Sequence, residues 1–365
     1  MKKTLLATAI VGALGASAAA QAATVYDQDG TKLDIYGRIA LGIAGGGPER
    51  NADGPINNDP EFVDVFSRLG LRMSQAITTD MTAFGHLEWR FRADGGDNRF
   101  DAFHETRQSY IGLRSDQYGT IQAGNFDSFY NQFVSEPFDW QIDSGLEFAG
   151  HPKQSRGDSI GYYTPELNGF TAALQVKHYS ERGLREDLPA SAGGTSEQGD
   201  VIAAQGGVRY QDGPVTVGLG FVDDVQRGGG NGEMLYGLIG SYDFTDQFTA
   251  RLGYEGREHN ADFNNGNASA DSNRVGYDTV GVGGTFTTGP WAFALDYYHI
   301  DRDGGFDSSN SWSAGSYYKV SSNFDVFAEL YNGDIPRLST DESIRDNWDN
   351  LTDDVYWLTG ARYHF

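Results

Sequence analysis

The chain has 365 residues, a formal net charge of −24 and a mean hydropathy of −0.49. It contains 49 Gly, 22 Phe and 20 Tyr but no Cys, which excludes disulfide bonds, thiol nucleophiles and thiolate metal sites. The strongly acidic charge excludes nucleic acid as a natural partner.

The N-terminal segment is typical of a secretory signal peptide. A basic start at Lys2 and Lys3 is followed by an apolar stretch and by the small-residue site Ala20-Gln21-Ala22. We therefore expect residues 1–22 to be cleaved as the signal peptide and residues 23–365 to form one mature domain. No later stretch of about 18 apolar residues predicts a membrane helix.

Apolar and polar residues alternate along most of the mature chain, which is the signal of β-strands with two different faces. Segment 33–43 is an example, and segments 81–93, 215–221, 248–257 and 324–330 repeat its pattern. One face is apolar and the other carries charges. A transmembrane barrel would turn these faces to lipid and to a lumen, whereas a sandwich would bury the apolar faces together.

The connections between these segments alternate strictly between short and long. The short ones are 78–80, 116–119, 165–169, 211–214, 245–247, 288–290 and 321–323. The long ones are 45–62, 94–103, 127–157, 181–199, 225–232, 260–274, 302–311 and 333–352. This pattern predicts an all-β, antiparallel, up-and-down transmembrane barrel of sixteen strands, with short periplasmic turns and long external loops.

Aromatic residues mark the predicted strand ends and the C-terminus. The pairs Tyr297-Tyr298 and Tyr317-Tyr318 fit the two interfacial girdles of a barrel in outer-membrane lipid and lipopolysaccharide. The last strand carries Trp357, Tyr363 and a terminal Phe365 on one face. We expect Tyr363 and Phe365 to form the C-terminal signal that the barrel-assembly machinery binds.

The third long connection carries too many aromatic residues for an exposed loop. Its rings are Phe126, Phe129, Tyr130, Phe133, Phe138, Trp140 and Phe148. An exposed loop has nothing against which to bury such rings, whereas the inside of a barrel wall could bury them. We therefore predict that this loop folds into the pore. It has no Lys or Arg from Ser115 through Pro152. Its acids are Asp127, Glu136, Asp139, Asp143 and Glu147.

Arginines collect on the predicted luminal faces of the first four strands. They are Arg38, Arg68, Arg72, Arg90, Arg92 and Arg107. A cluster of cations on one wall repels itself unless it is solvated or faced by acids. The two interpretations are solvated surface arginines or one charged side of a pore.

Short motifs along the mature chain match one known family. Segment 25–38 resembles the first strand of the general trimeric porins of Gram-negative outer membranes. Segment 67–70 resembles the second strand of that family, and segment 84–89 the third. Thr106-Arg107 with the following Ile111-Gly112-Leu113 resembles the fourth strand, and 167–170 the turn entering the seventh.

The resemblance implies a homotrimer of hollow barrels, each narrowed by its third loop, with loop acids facing a ladder of basic residues. Arg38, Arg68 and Arg107 match that ladder directly. The basic side is thus predicted to comprise Arg38, Arg68, Arg72, Arg107 and Arg156. The loop departs from the Pro-Glu-Phe-Gly-Gly run of the family. Our predicted acidic side is Asp139, Asp143 and Glu147, with solvated loop acids as the alternative.

The predicted function is passive passage of small hydrophilic solutes and ions, with a weak cation preference from the acidic charge. A substrate-specific channel for sugars or phosphate is the alternative, and an outer-membrane enzyme is a further one. No His-Glu-x-x-His metal motif, phosphate loop or nucleophile elbow occurs, so we expect no catalytic or metal site and no cofactor. Ca²⁺ or Mg²⁺ at acidic segments 301–305 and 346–354 stays an alternative to solvated charge.

Overall fold

Nearly all regular secondary structure of the described chain is antiparallel β-structure. The computed structural model describes residues 22–51, 54–55, 57–95, 103–149, 157, 159–179, 201–223, 234–257, 276–303, 308–333 and 354–365. The first strands are β1 (Ala23–Gln28), β2 (Thr31–Gly46), β3 (Arg50–Asn51), β4 (Gly54–Pro55), β5 (Glu61–Asp64), β6 (Arg68–Ala76), β7 (Met81–Arg90), β8 (Glu105–Ser115), β9 (Gly119–Asn125) and β10 (Ser159–Tyr163). The remaining strands are β11 (Phe170–Tyr179), β12 (Val201–Asp212), β13 (Val215–Asp223), β14 (Met234–Asp243), β15 (Phe248–Arg257), β16 (Tyr277–Thr288), β17 (Trp291–Arg302), β18 (Ser309–Lys319), β19 (Phe324–Asn332) and β20 (Tyr356–His364).

Only one short stretch of the described chain is helical. A π-helical turn at Asn131–Ser135 and a 3₁₀ turn at Glu136–Phe138 follow β9. No helix among the described residues is long and apolar enough to cross a membrane.

The wall closes into a barrel of sixteen rows, a row being one position around the circumference. Eighteen strands of the described chain form these rows because two rows are built from two strands each. β5 and β6 pair with successive parts of β2 on one edge, and β20 and β1 do so on its other edge. The predicted number of strands is therefore confirmed.

The segment 25–38, which resembles a single first strand, is divided in the structure between β1 and β2. β1 is a separate strand. It folds back on β2 through Asp29 and Gly30, whose φ angles are 51° and 74°. An Asp-Gly pair with two positive φ angles is the chemistry of a type I′ hairpin turn. The seven short connections predicted from the sequence all join neighbouring strands. The third such hairpin after β2 uses the same chemistry, with φ of 52° at Asn168 and 86° at Gly169.

The two faces of the wall differ as the alternation predicted. Along β17 exposed and buried residues alternate at almost every position. The outward residues are Trp291, Phe293, Leu295 and Tyr297. The inward ones are Ala292, Ala294, Asp296 and Tyr298. An exposed apolar outer belt around a polar interior is the pattern of a transmembrane barrel.

One part of the girdle prediction was wrong. Tyr298 and Tyr317 face the interior, where they are 0% and 2% exposed. Adjacent residues of a strand point to opposite faces, so only one member of each Tyr-Tyr pair reaches the outer surface. Tyr297 is that member in its pair and is 39% exposed.

Candidate pore constriction

The third loop folds into the barrel, as its aromatic content predicted. Five of its rings are almost completely buried. They are Phe126, Phe129, Tyr130, Phe138 and Phe148, with exposures between 0% and 4%. Phe138 and Phe148 pack edge to face, and both contact Tyr298 of β17. The rings therefore bind the described loop, up to Ala149, to the inner wall.

Glycines in the wall let the loop approach closely. A Cβ atom at Gly253 would lie 2.7 Å from the Phe148 ring, and one at Gly281 would lie 2.8 Å from the same ring. A Cβ at Gly237 would collide with the Tyr130 hydroxyl. These glycines lie on the luminal faces of three successive strands. Because they have no side chains, they leave a shallow groove, the glycine bed, in which the loop packs.

Glu255 of β15 holds both ends of the described loop. The Tyr130 hydroxyl donates to its Oε2 atom at 2.7 Å. The Ala149 amide donates to its Oε1 and Oε2 atoms at 2.9 Å and 3.0 Å. All of these groups donate, so the carboxylate satisfies donors that the loop would otherwise bury unpaired.

Glu329 of β19 makes the matching contact further along the loop. It accepts from the Ile142 amide at 2.7 Å, from the Asp143 amide at 3.4 Å and from the Tyr317 hydroxyl at 2.6 Å. Between these anchors Arg251 and Asp296 form a fully buried bidentate ion pair, with contacts of 2.6 Å and 2.8 Å.

The opposite wall carries the predicted basic cluster. The strand register places Arg38 opposite Arg68, and Arg68 opposite Arg90, across β2, β6 and β7. Directly opposed residues lie about 4.5–5.5 Å apart at Cβ, so the three arginines lie side by side across three strands. Glu88 moderates their repulsion because it accepts from Arg68 at 3.4 Å and from Arg107 at 2.7 Å.

Arg38 and Arg72 are held without a carboxylate within the part of the chain that the structure describes. The Arg38 Nε atom donates to the Phe66 carbonyl at 3.0 Å. The Arg72 guanidinium lies over the Tyr36 ring, 4.3 Å from its centroid, which is cation–π geometry. Arg156, the remaining predicted rung, lies outside the described residues.

The structure separates the three predicted acids. Asp139 is exposed on the loop, and Asn131 donates to its carboxylate at 3.3 Å. Asp143 is 2% exposed and accepts from the Tyr331 hydroxyl at 2.7 Å. Glu147 is half-buried and accepts from Ser311 at 2.7 Å. Their roles in the constriction stay predictions, with Asp139 placed best for such a role.

Two loop acids that were not predicted for the constriction also join the site. Asp127 accepts from Arg107 at 3.1 Å and so links the loop to the basic wall. Glu136 accepts from Arg209 of β12 at 2.9 Å. Partial desolvation raises the pKa of the Glu136 carboxyl, Arg209 opposes this rise, and Asp139 adds to it. The sequence analysis named Asp127 and Glu136 among the acids of the loop. The direction of their side chains follows only from the folded path of the loop.

The C-terminal residues complete the wall beside this cluster. Phe365 exchanges two backbone hydrogen bonds with Gly37, of 2.8 Å and 3.0 Å. Tyr363 points outward and is 48% exposed. Their predicted part in assembly stays a prediction. No group of three or more His, Asp or Glu side chains within the described ranges could hold a metal ion. Segments 301–305 and 346–354 lie partly outside those ranges.

Comparisons with known proteins agree on one kind of protein. A family model described as Gram-negative porin matches residues 7–335. A protein named monosaccharide porin, from Halomonas sp, is 26% identical over 100% of this chain and 91% of its own length. An anion-selective porin from Comamonas acidovorans has a TM-score of 0.64 at 17% identity, covering 92% of this chain and 100% of its own. The trimer form of OmpT, an outer membrane protein of Vibrio cholerae, has a TM-score of 0.60 at 16% identity, covering 92% and 100%.

Proposed function

Because the chain belongs to the Gram-negative porin family, we propose that it is a general diffusion porin. Small hydrophilic solutes and ions pass through it passively, limited by size. As a member of this family it is an outer-membrane β-barrel channel and not an enzyme. The proposed function needs no cofactor, since passage through a water-filled opening involves no bond chemistry.

The observation that carries this proposal is the direction in which the third loop points its side chains. Its apolar rings are buried against the wall, whereas Gln132, Glu136 and Asp139 are exposed. The opposite wall presents arginines. A narrow opening between a polar loop and a basic wall favours solutes that keep their hydration, because an apolar solute gains little there.

We propose a weak cation preference. The chain is strongly acidic, with a net charge of −24. Acidic surroundings raise the local cation concentration, while the basic wall works against this effect at the narrowest point. A reversal potential measured across a salt gradient tests the sign. Anion preference, as named for the Comamonas acidovorans protein, would overturn this part of the proposal.

We propose a homotrimer, with outer-membrane lipid, lipopolysaccharide and the barrel-assembly machinery as further partners. The trimer form of the Vibrio cholerae protein supports the first assignment. The exposed apolar belt of the wall supports lipid contact, and the aromatic C-terminal strand supports the assembly step. Crosslinking of the native protein to a three-chain species tests the trimer. A species of one chain only would contradict it.

A second candidate is a channel specific for monosaccharides, because one relative over the whole chain is named a monosaccharide porin. Such a channel needs aromatic faces open to the lumen. Phe133 and Trp140 are the loop rings that stay partly exposed. The burial of the other five favours general diffusion.

Planar-bilayer recording separates the two candidates. A general diffusion porin gives nearly ohmic single-channel currents that millimolar glucose leaves unchanged. A sugar-specific channel gives currents that glucose blocks in a saturable way. Absence of channels from correctly folded, heat-modifiable protein would overturn both.

A further inference from the structure

A second charge pair lies on the loop side of the opening, opposite the predicted basic ladder. Arg209 is on the inner face of β12, beneath the π-helical turn of the loop. Its Nη1 atom donates to the Glu136 carboxylate at 2.9 Å and to the Gln132 carbonyl at 2.9 Å. Its Nη2 atom donates to the Gln211 side chain at 2.6 Å. These contacts hold the guanidinium in one orientation.

This pair is open to the lumen, unlike the ion pair beneath the loop. The side chains of Arg209 and Glu136 are 26% and 57% exposed, whereas those of Arg251 and Asp296 are 1% and 0% exposed. The buried pair is closed off from a passing ion and contacts only the loop and the wall. An exposed pair also contributes to the potential that a passing ion meets.

The two charges of this pair largely cancel at the distance of a passing ion. Opposite unit charges in hydrogen-bond contact act on a third charge as a dipole, whose effect falls off faster than that of a single charge. Asp139 is three residues further along the loop, is exposed, and has no cation among its hydrogen-bond partners in the described chain.

We propose that Arg209 is a selectivity-determining residue that neutralises Glu136 within the lumen and leaves Asp139 as the effective acid of this part of the loop. Arg209 is not part of the basic ladder predicted from the sequence, and it lies on a different wall of the barrel. The inference rests on the proposed channel function. It agrees with the proposed weak cation preference, since one luminal acid of a strongly acidic protein is masked.

The test is the cation-to-anion permeability ratio of single variants in a salt gradient of low ionic strength. At about 0.1 M salt the screening length is about 10 Å, so a luminal charge is felt across a narrow opening. We expect Arg209→Gln to raise the ratio by about twofold, because Glu136 loses the charge that masks it. We expect Glu136→Gln to lower the ratio, and the double variant to return to the wild-type value.

The variant Arg209→Lys distinguishes the effect of the charge from that of the hydrogen-bond geometry. Lysine keeps the positive charge but lacks the planar guanidinium group. We expect it to keep the wild-type ratio. Arg114→Gln is the matched control, since Arg114 shares the inner face of β8 with Tyr110 and Gly112 and touches no loop carboxylate among the described residues. Its effect on the ratio is expected to be smaller.

Three results would overturn the inference. They are an unchanged ratio in Arg209→Gln, a shift in Arg209→Lys as large as in Arg209→Gln, or a double variant far from wild type. Each leaves the proposed function standing as long as the wild type conducts. A wild type that forms no channels fails the proposed function itself.

Discussion

The hydroxyl of Tyr130 donates a hydrogen bond of 2.7 Å to Glu255, 125 residues further along the chain. This contact joins the start of the inward loop to the far wall of the barrel. The Ala149 amide reaches the same carboxylate, so one wall residue fixes both ends of the described loop. The width of the opening therefore depends on wall residues that no solute touches.

Replacing Glu329 with Leu is expected to loosen the middle of the loop. The Ile142 and Asp143 amides lose their acceptor, and each buried unpaired donor costs about 1–3 kcal/mol, whereas the Tyr317 hydroxyl can still donate to the Trp140 carbonyl at 3.2 Å. We expect a lower free energy of unfolding in a urea titration and noisier open-channel current. Glu61→Leu is the control, because Glu61 is exposed at the start of β5. Equal stability of the two variants would contradict the anchoring role.

Adding a single methyl group at Gly281 is expected to disturb the glycine bed. The Cβ of Gly281→Ala would lie 2.8 Å from the Phe148 ring and 2.9 Å from the Tyr298 ring. Overpacking of this kind costs about 1–3 kcal/mol, so the temperature of heat modification should fall. Gly85→Ala is the matched variant, where the nearest atom is the end of the Met73 side chain at 3.3 Å. A Gly281→Ala variant with the heat-modification temperature of the wild type would contradict close packing of the loop on the glycine bed.

Replacing Arg38 with Gln should shift ion selectivity without unfolding the barrel. The substitution removes one hydrogen bond, to the Phe66 carbonyl, and breaks no ion pair within the described chain. Loss of one cation from the narrow region is expected to raise the cation-to-anion permeability ratio by about twofold at low salt. Arg92→Gln is the control, since Arg92 is paired with Asp94 and is 45% exposed beyond β7. A permeability ratio equal to that of Arg92→Gln would show that Arg38 does not act in the constriction.

Mild acid should weaken cation preference through Glu136. Partial desolvation raises the pKa of its carboxyl above the usual glutamate value, so it takes up a proton at a higher pH than a fully hydrated glutamate does. Protonation removes a negative charge and leaves Arg209 unbalanced, and both changes favour anions. We expect the permeability ratio to fall more steeply between neutral and mildly acidic pH in the wild type than in Glu136→Gln. Identical pH profiles would exclude Glu136 as the responsible group.

Most of the fold could be predicted because a barrel wall is built from local rules. Alternation along each strand identifies its two faces, and turn residues such as Asn168-Gly169 mark the hairpins. The inward fold of the third loop also followed from composition, since its rings need a surface to bury them.

The acids of the constriction could not be predicted in the same way. The direction of each loop side chain depends on long-range contacts, such as those of Tyr130 with Glu255 and of Phe148 with Gly281. These contacts turn Asp143 to Tyr331 and leave Asp139 exposed. No local pattern distinguishes the two aspartates. The contact of Arg209 with Glu136 was missed for the same reason, since the two residues are 73 positions apart.

Thiol modification at position 139 tests most directly that the inward loop borders the conducting path. The chain has no cysteine, so Asp139→Cys introduces a single reactive site. We expect a bulky water-soluble thiol reagent to reduce the single-channel current of this variant. Tyr118→Cys, at an exposed turn outside the lumen, should be modified without loss of current. Complete modification of Asp139→Cys with an unchanged current would contradict the account.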